Sequence, residues 1–168
     1  ATSGRAGGIA GYQDQTGQIS GWIISGTVQS DSGLSGGITA ENDGRILNCT
    51  NAGIVRASGD VGGIAAHNNE NAWIESSRCK SFVETVQVQG AGYVGGIVGW
   101  NKGMVKGCWL DTATNVSNSI TAKAENYIGG IAGYNQAVIE DAGRIGNARQ
   151  VTDTVIVSNV TGSSIGGV

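Results

Sequence analysis

The sequence GGIVGWNKGMVKGC, from Gly95 to Cys108, contains the pattern from which the architecture is predicted. A Gly-Gly pair followed by Ile or Val recurs along the chain, and the openings read GGIAGYQ, GGITAEN, GGIAAHN, GGIVGWN and GGIAGYN. The pairs begin at six positions, separated by 26 to 37 residues: Gly7, Gly36, Gly62, Gly95, Gly129 and Gly166. Agreement over seven positions at this spacing is typical of a protein built from stacked repeats.

Each opening is predicted to be a β-strand with a small, large, small pattern on its inward face. Side chains alternate between the two faces of a strand, so the Ile of each repeat shares a face with a preceding Gly and a following Gly or Ala. Glycine inside a strand costs stability, and its recurrence therefore indicates close backbone approach in a narrow interior. We expect a buried isoleucine ladder formed by Ile9, Ile38, Ile64, Ile97 and Ile131.

The seventh position of the repeat predicts a corner with a second ladder. It holds Gln13 in the first repeat and asparagine in the next four, at Asn42, Asn68, Asn101 and Asn135. Asparagine tolerates left-handed turn geometry and bonds its own backbone. Stacked asparagine amides are also able to bond from coil to coil. A second short strand follows, with Ile19, Ile46, Ile74, Val105 and Ile139 in register.

These patterns predict an all-β fold, a right-handed parallel β-helix of about five coils with roughly three short strands per coil. Apolar residues with helical spacing and capping signals are missing, so we expect no significant helix. A β-propeller or β-prism is the alternative, although about 30 residues per unit is short for a four-stranded blade. Residues 1–168 are expected to form a single solenoid domain. Because the repeat is cut at both ends, we expect a fragment of a longer chain or a subunit that stacks end to end.

Composition argues against several classes of function. A net charge of -3 with 14% charged residues gives no basic surface for a nucleic-acid partner. No apolar run is long enough for a membrane span, and the first residues do not resemble a signal peptide. Three cysteines, at Cys49, Cys79 and Cys108, lack zinc-binding spacing and are interpreted as small buried hydrophobic residues. No metal site and no cofactor are therefore expected.

The stretch from Gly95 to Cys108, echoed in GGITAENDGRILNC and GGIAGYNQAVIEDA, resembles the GLUG-motif repeat of bacterial surface and secreted proteins. That repeat also occurs in non-catalytic regions of IgA1-type zinc metalloproteases. The resemblance covers nearly the whole chain, although Ile here replaces the Leu or Val that follows Gly-Gly in the family. It implies an extracellular or cell-surface location and an adhesive or stalk-like role, and it implies no catalytic residue.

Three stretches resemble the motifs of known catalytic or cofactor sites, but none of them has the sequence context that the motif requires. The G-x-G-x-x-G at Gly90 is followed by a repeat strand, and the G-x-S-x-G at Gly33 lacks the required strand-to-helix turn. HNNEN, beginning at His67, is not the zinc-binding H-E-x-x-H sequence. The acidic residues are scattered over different repeat positions and are interpreted as solvated turn residues: Asp31, Asp43, Asp60, Glu70, Asp111 and Asp141. We therefore expect no enzymatic activity.

One outward column is the candidate binding surface. Tyr12, Glu41, His67, Trp100 and Tyr134 occupy the position just before the corner, on the face opposite the isoleucines. Outward aromatic rings in a column are suited to contact a host glycan or a protein. We predict ligand binding by Tyr12, His67, Trp100 and Tyr134 on a rigid scaffold or stalk. The alternatives are an accessory β-helix of a larger secreted enzyme, either an IgA1-type metalloprotease or a polysaccharide-degrading enzyme, and a self-stacking filament subunit.

Overall fold

The computed structural model describes residues 4–80, 87–90, 92–111, 119–122, 127–145, 154–157 and 165–166. Every regular element in these ranges is a β-strand, and the strands repeat in groups of five, each of which we call a coil. The uninterrupted stretch of residues 4–80 makes about three turns of the solenoid. The predicted all-β parallel solenoid is therefore confirmed for the part of the chain that the structure describes.

The strands are short, from two to four residues each. The first coil contains β1 (Gly4–Gly7), β2 (Ala10–Gln13), β3 (Gln18–Ser20), β4 (Ile23–Ile24) and β5 (Thr27–Ser30). The second contains β6 (Gly33–Gly36), β7 (Thr39–Asn42), β8 (Arg45–Leu47), β9 (Thr50–Asn51) and β10 (Ile54–Ala57). The third contains β11 (Val61–Gly62), β12 (Ala65–Asn68), β13 (Trp73–Glu75), β14 (Arg78–Lys80) and β15 (Gln87–Gly90).

The remaining strands repeat this order. The fourth coil contains β16 (Val94–Gly95), β17 (Val98–Asn101), β18 (Met104–Lys106), β19 (Trp109–Asp111) and β20 (Ser119–Ala122). Then follow β21 (Ile128–Gly129), β22 (Ala132–Asn135), β23 (Ile139–Glu140), β24 (Gly143–Ile145) and β25 (Thr154–Val157), and finally β26 (Ile165–Gly166). The prediction of roughly three strands per coil was wrong, because the described strands fall into five sheets and each coil contributes one strand to each sheet.

Equivalent strands of successive coils pair in parallel and form five sheets. Sheet A joins β1, β6, β11, β16, β21 and β26, whereas sheets B to E start from β2, β3, β4 and β5 and contain five strands each. Pairing is in register, as in Ile46 with Ile74 and Ile74 with Val105. Each inward side chain therefore stacks on its equivalent in the next coil.

The Gly-Gly-Ile opening is a bend between sheets A and B, which corrects the prediction of one continuous strand. β11 ends at Gly62, the chain turns through Gly63 and Ile64, and β12 starts at Ala65. A Cβ atom on Gly62 would lie 1.8 Å from the carbonyl oxygen of Ala65, and one on Gly63 would lie 2.0 Å from that of Gly96 in the next coil. Both glycines are therefore required by backbone contact, the first across the bend and the second between coils.

The isoleucines stack at this bend as the pattern predicts. Ile38, Ile64 and Ile97 are fully buried, and the amide of each donates to the isoleucine carbonyl of the next coil at 2.8–3.0 Å. Ile131 accepts the last of these bonds and is partly buried, whereas Ile9 in the first coil is 38% exposed. An isoleucine is buried only where coils cover it on both sides, and each full burial stabilises by about 1.5–3 kcal/mol.

The asparagines form a continuous hydrogen-bonded ladder one sheet further on. The side-chain amide of Asn42 donates to Asn68 at 2.9 Å, that of Asn68 to Asn101 at 2.9 Å, and that of Asn101 to Asn135 at 2.8 Å. The first three are fully buried, and Asn135 is exposed. A buried amide tolerates its loss of hydration because it is bonded. None of the four has a positive φ angle, so the expected left-handed role is not theirs.

Left-handed backbone occurs at a different position, two residues after the second inward column. Every coil has one residue of positive φ there, with values from 47° to 74°: Gly21, Asn48, Ser76, Gly107 and Asp141. The next position turns inward and holds Cys49, Ser77 and Cys108, all fully buried. Cys79 lies two residues later in sheet D and is also buried. The three thiols are free.

Candidate functional site

The five outward residues of sheet B lie in one column, as the spacing predicts. Tyr12 pairs with Glu41, Glu41 with His67, His67 with Trp100, and Trp100 with Tyr134. Tyr12 is 50% exposed, whereas the others are partly buried. The structure therefore brings all of the predicted binding residues onto one outer face.

A second outward column, which the sequence patterns did not reveal, lies beside the first. It consists of the residues two positions before each Gly-Gly pair: Arg5, Leu34, Asp60, Tyr93 and Tyr127. Backbone hydrogen bonds join successive coils at this column. The amide of Val61, which follows Asp60, donates to the carbonyl of Tyr93, and the amide of Val94, which follows Tyr93, donates to the carbonyl of Tyr127, both at 2.9 Å. The repeated YVGG and YIGG sequences were the available signal.

The two columns meet because the backbones of sheets A and B touch. The residue before each outward residue of sheet B is Gly or Ala, and a Cβ atom on Gly133 would lie 2.5 Å from the backbone nitrogen of Val94. A Cβ atom on Gly99 would lie 2.8 Å from the carbonyl oxygen of Tyr93. With no side chain larger than a methyl group between the strands, their outward side chains lie next to each other.

Four rings from the two columns form an aromatic cluster, which we define as Tyr93, Trp100, Tyr127 and Tyr134. The rings of Tyr93 and Tyr134 stack with centroids 5.1 Å apart, and Tyr93 lies 5.5 Å from Trp100 and 5.4 Å from Tyr127. Lys102 places its ammonium group 3.6 Å from the centroid of Trp100. Ring pairs at these distances add about 0.5–1.5 kcal/mol each beyond their burial. The cluster is therefore preorganised.

A charged cluster of Arg5, Glu41, Asp60 and His67 adjoins the aromatic cluster. His67 Nε2 lies 2.6 Å from Asp60 Oδ2, and His67 Nδ1 lies 3.8 Å from Glu41 Oε1. Arg5 pairs with the other oxygen of Glu41 at 2.9 Å, and the amide of Tyr93 donates to Asp60 Oδ1 at 2.7 Å. The interpretation of Asp60 as a solvated turn acid was therefore wrong, because its side chain is only 16% exposed and both oxygens are bonded.

His67 connects the two clusters. Its ring meets that of Trp100 edge to face, with centroids 5.4 Å apart and an interplanar angle of 83°. Both of its nitrogens face carboxylates, and neither is directed toward a hydroxyl or thiol nucleophile that the structure describes. This environment suits a structural bridge better than a general base, which needs one nitrogen directed at the reacting proton.

Tyr12 forms the far end of the column and bonds to the next corner. Its hydroxyl donates to Asp43 Oδ2 at 2.6 Å, and Arg5 lies 6.0 Å from its ring centroid. The hydrogen bond to Asp43 raises the pKa of Tyr12. The phenol is therefore a neutral donor at physiological pH, and it fixes the position of the Asp43 carboxylate.

Other kinds of site find no support in the described ranges. There, no group of three or more His, Cys, Asp and Glu side chains is placed to hold a metal ion. Burial raises the pKa of all three thiols, to about 12 for Cys79 and about 11 for Cys108, so they are poor nucleophiles. Among the same residues, no helix has the length and apolar character needed to cross a membrane.

Comparisons with protein-family models, with curated proteins and with solved structures gave no match. The resemblance to GLUG-motif repeats accordingly stays a prediction from the sequence.

Proposed function

We propose that this chain is a non-catalytic scaffold module of a bacterial cell-surface or secreted protein, and that it binds a partner protein through the aromatic cluster. The observation that carries the proposal is the packing of Tyr93, Trp100, Tyr127 and Tyr134 on the outer face of stacked parallel strands. Tyr and Trp dominate the energetics of protein interfaces, and a rigid surface loses little entropy on binding.

The ring arrangement favours a protein over a glycan at this cluster. Tyr93 and Tyr134 use ring faces against each other, and Lys102 lies over the face of Trp100, so few flat faces stay open for a sugar. Charged residues border the rings on one side, with Arg5 exposed and paired to the partly buried Glu41. An aromatic centre with a polar rim is the composition of protein interfaces.

The non-catalytic assignment rests on the same surface. His67 has both nitrogens beside carboxylates, and the described thiols are buried with raised pKa values. The extracellular assignment rests on the low charge, on the richness in Asn, Ser, Thr and Gly, and on the GLUG resemblance. The same scaffold role would serve a larger secreted enzyme whose chemistry lies outside this chain.

Adhesion of beads coated with the chain to cultured host cells tests the proposal. We expect Trp100→Ala combined with Tyr134→Ala to reduce adhesion at least about tenfold, as removal of two hot-spot rings would. Trp22→Ala is the matched control, because Trp22 is 58% exposed and lies outside the cluster. Trypsin treatment of the cells should abolish adhesion, whereas glycosidase treatment should not. Equal adhesion of the double variant and the parent would refute the proposal.

End-to-end self-association is the second candidate, and the first coil favours it. Ile9 is 38% exposed and Ile19 is only partly buried, whereas the equivalent residues of the second coil, Ile38 and Ile46, are fully buried. A further coil, from the same chain or from a second copy, would cover them. Sedimentation velocity at increasing protein concentration tests the second possibility, and Ile9→Lys should shift any oligomer toward monomer. A monomer at all concentrations would exclude it.

A further inference from the structure

The corners between sheets B and C differ in length in a way that shapes the surface. From the seventh repeat position to the next inward residue, the chain takes six steps in the first coil (Gln13 to Ile19) and in the third (Asn68 to Ile74). It takes four steps in the second coil, from Asn42 to Ile46. The short second corner is therefore recessed between two longer neighbours.

This recess is a notch of about 420 Å³ lined by Gln15, Asp43, Gly44, Arg45, Asn71 and Trp73. Its volume lies in the range of about 300–1,000 Å³ that is usual for small-molecule sites. Gly44 is buried at the floor of the notch. A side chain does not fit at this position, because the carbonyl oxygens of Gly17 and Asp14 lie 2.3 and 2.5 Å from where a Cβ atom would be. The notch is thus a product of corner length, with a floor that requires glycine.

Trp73 provides the one large apolar surface in the notch. Its side chain points outward from β13, in register with Arg45 and Met104, and the residue is 38% exposed. Arg45 places its guanidinium carbon 5.5 Å from the ring centroid, a looser contact than the 3.6 Å between Lys102 and Trp100, so the face of Trp73 is covered less closely than that of Trp100. Beyond the ring, a second recess of about 230 Å³ is lined in part by Met104 and Val138. The indole therefore stands as a partition between a polar and a more apolar recess.

The polar wall is fixed in place before any ligand arrives. Asp43 accepts hydrogen bonds from the Tyr12 hydroxyl and from the Asn69 amide, one on each carboxylate oxygen and each at 2.6 Å. An ionised carboxylate accepts about four hydrogen bonds, so capacity is left for ligand hydroxyls. The charged residues that line the notch, Asp43 and Arg45, are of opposite sign, and Arg45 also lies 3.8 Å from Glu75.

We propose that the Trp73 notch binds a neutral pyranose unit of an oligosaccharide. A pyranose has an apolar C–H face that stacks on an indole and a rim of hydroxyls that a carboxylate, an amide and a guanidinium recognise. A neutral ligand fits because Asp43 and Arg45 oppose each other in charge. The site lies around the corner from the aromatic cluster and does not depend on the partner proposed for it.

Calorimetric titration of the 168-residue chain with neutral hexose and N-acetylhexosamine disaccharides, and with a uronic acid disaccharide, tests the proposal. We expect saturable binding of at least one neutral sugar at concentrations up to about 10 mM. Trp73→Ala should weaken binding at least about tenfold and Trp73→Phe by less, because phenylalanine keeps a smaller ring for stacking. Trp22→Ala should leave binding unchanged. Circular dichroism of each variant verifies the fold.

Three results with the parent chain and the Trp73→Ala variant would overturn the proposal. They are no saturable binding by any neutral disaccharide, equal binding by the Trp73→Ala variant, and preference for the uronic acid. The Trp100→Ala, Tyr134→Ala double variant separates this site from the proposed function, because it should lose cell adhesion and keep disaccharide binding. Loss of sugar binding in that double variant would instead assign the sugar to the aromatic cluster.

Discussion

The side-chain amide of Asn42 donates to the side-chain oxygen of Asn68 at 2.9 Å, and both residues are fully buried. The same amide approaches the carbonyl of Trp73 at 3.3 Å, and Asn42 Oδ1 accepts from the amide of Gly44 at 3.2 Å. One asparagine thus closes its own corner and joins it to the next coil. Polar groups here specify the register of the stack, since a slipped coil would leave buried amides without partners.

Asn68→Leu should therefore destabilise the fold by about 1–3 kcal/mol, the cost of leaving buried groups unsatisfied. It removes the donor to Asn101 and the acceptor for Asn42. Urea unfolding followed by circular dichroism measures the change. Asn135→Leu is the matched control with a smaller expected loss, because Asn135 is exposed and ends the ladder, so that it takes part in one ladder bond, from Asn101, whereas Asn68 takes part in two. Equal losses in the two variants would contradict a buried ladder.

Ile64→Ala should cost about 2–5 kcal/mol, because it leaves a cavity in a fully buried position. Ile9→Ala removes the same atoms at a position that is 38% exposed, so we expect a clearly smaller loss. The same urea unfolding measurement compares the two. A larger loss at Ile9 than at Ile64 would show that the isoleucines do not stack as described.

Ser76→Gly should stabilise the protein by about 1 kcal/mol. Ser76 has a φ of 50°, a left-handed conformation in which a Cβ atom costs roughly 1–2 kcal/mol, and the equivalent residue in the next coil is Gly107. The gain is smaller than this cost because glycine is more flexible in the unfolded chain. Ser77→Gly, one position later and fully buried, should instead destabilise. A lower unfolding midpoint for Ser76→Gly than for the parent is the contrary outcome.

The thiols should be inert in the folded protein and reactive after unfolding. Burial raises the pKa of Cys79 to about 12 and that of Cys108 to about 11, above the ordinary thiol value of 9.0. At pH 8, a disulfide reagent such as dithionitrobenzoate should find no thiols before urea is added and three afterwards. Rapid labelling of Cys79 in the native state would contradict its burial.

The same shifts predict that stability falls in alkali. Below about pH 9 the thiols are protonated in both the folded and the unfolded state, and their full contribution to the free energy of unfolding is present. As pH rises toward about 11–12, the unfolded state loses these protons first and the contribution is lost. The urea midpoint should therefore fall between pH 8 and pH 10.5. Cys79→Ala should show a smaller fall over this interval, although it starts from a lower midpoint because of its cavity. An identical pH profile for the variant would refute the assignment.

The repeat spacing was sufficient to predict the solenoid, its two inward ladders and the outward column from Tyr12 to Tyr134. It did not predict the bend at Gly63 and Ile64. Side chains alternate between inward and outward along a straight strand, and the same alternation results when the chain bends but Ile still points inward. Asp60 and Tyr93 were missed for the same reason. They join the site only because sheets A and B approach closely enough for their outward side chains to meet.

The unequal corners show how this architecture accommodates insertions and deletions. Two extra residues at the third corner leave Asn68 and Ile74 in line with Asn42 and Ile46, so the change in length is absorbed entirely at the surface. The shape of the outer surface therefore varies without any change in the stacking of the inward side chains. A protein engineer could insert recognition loops of chosen length at these corners, and the lengths of the neighbouring corners would set the depth of the resulting recess.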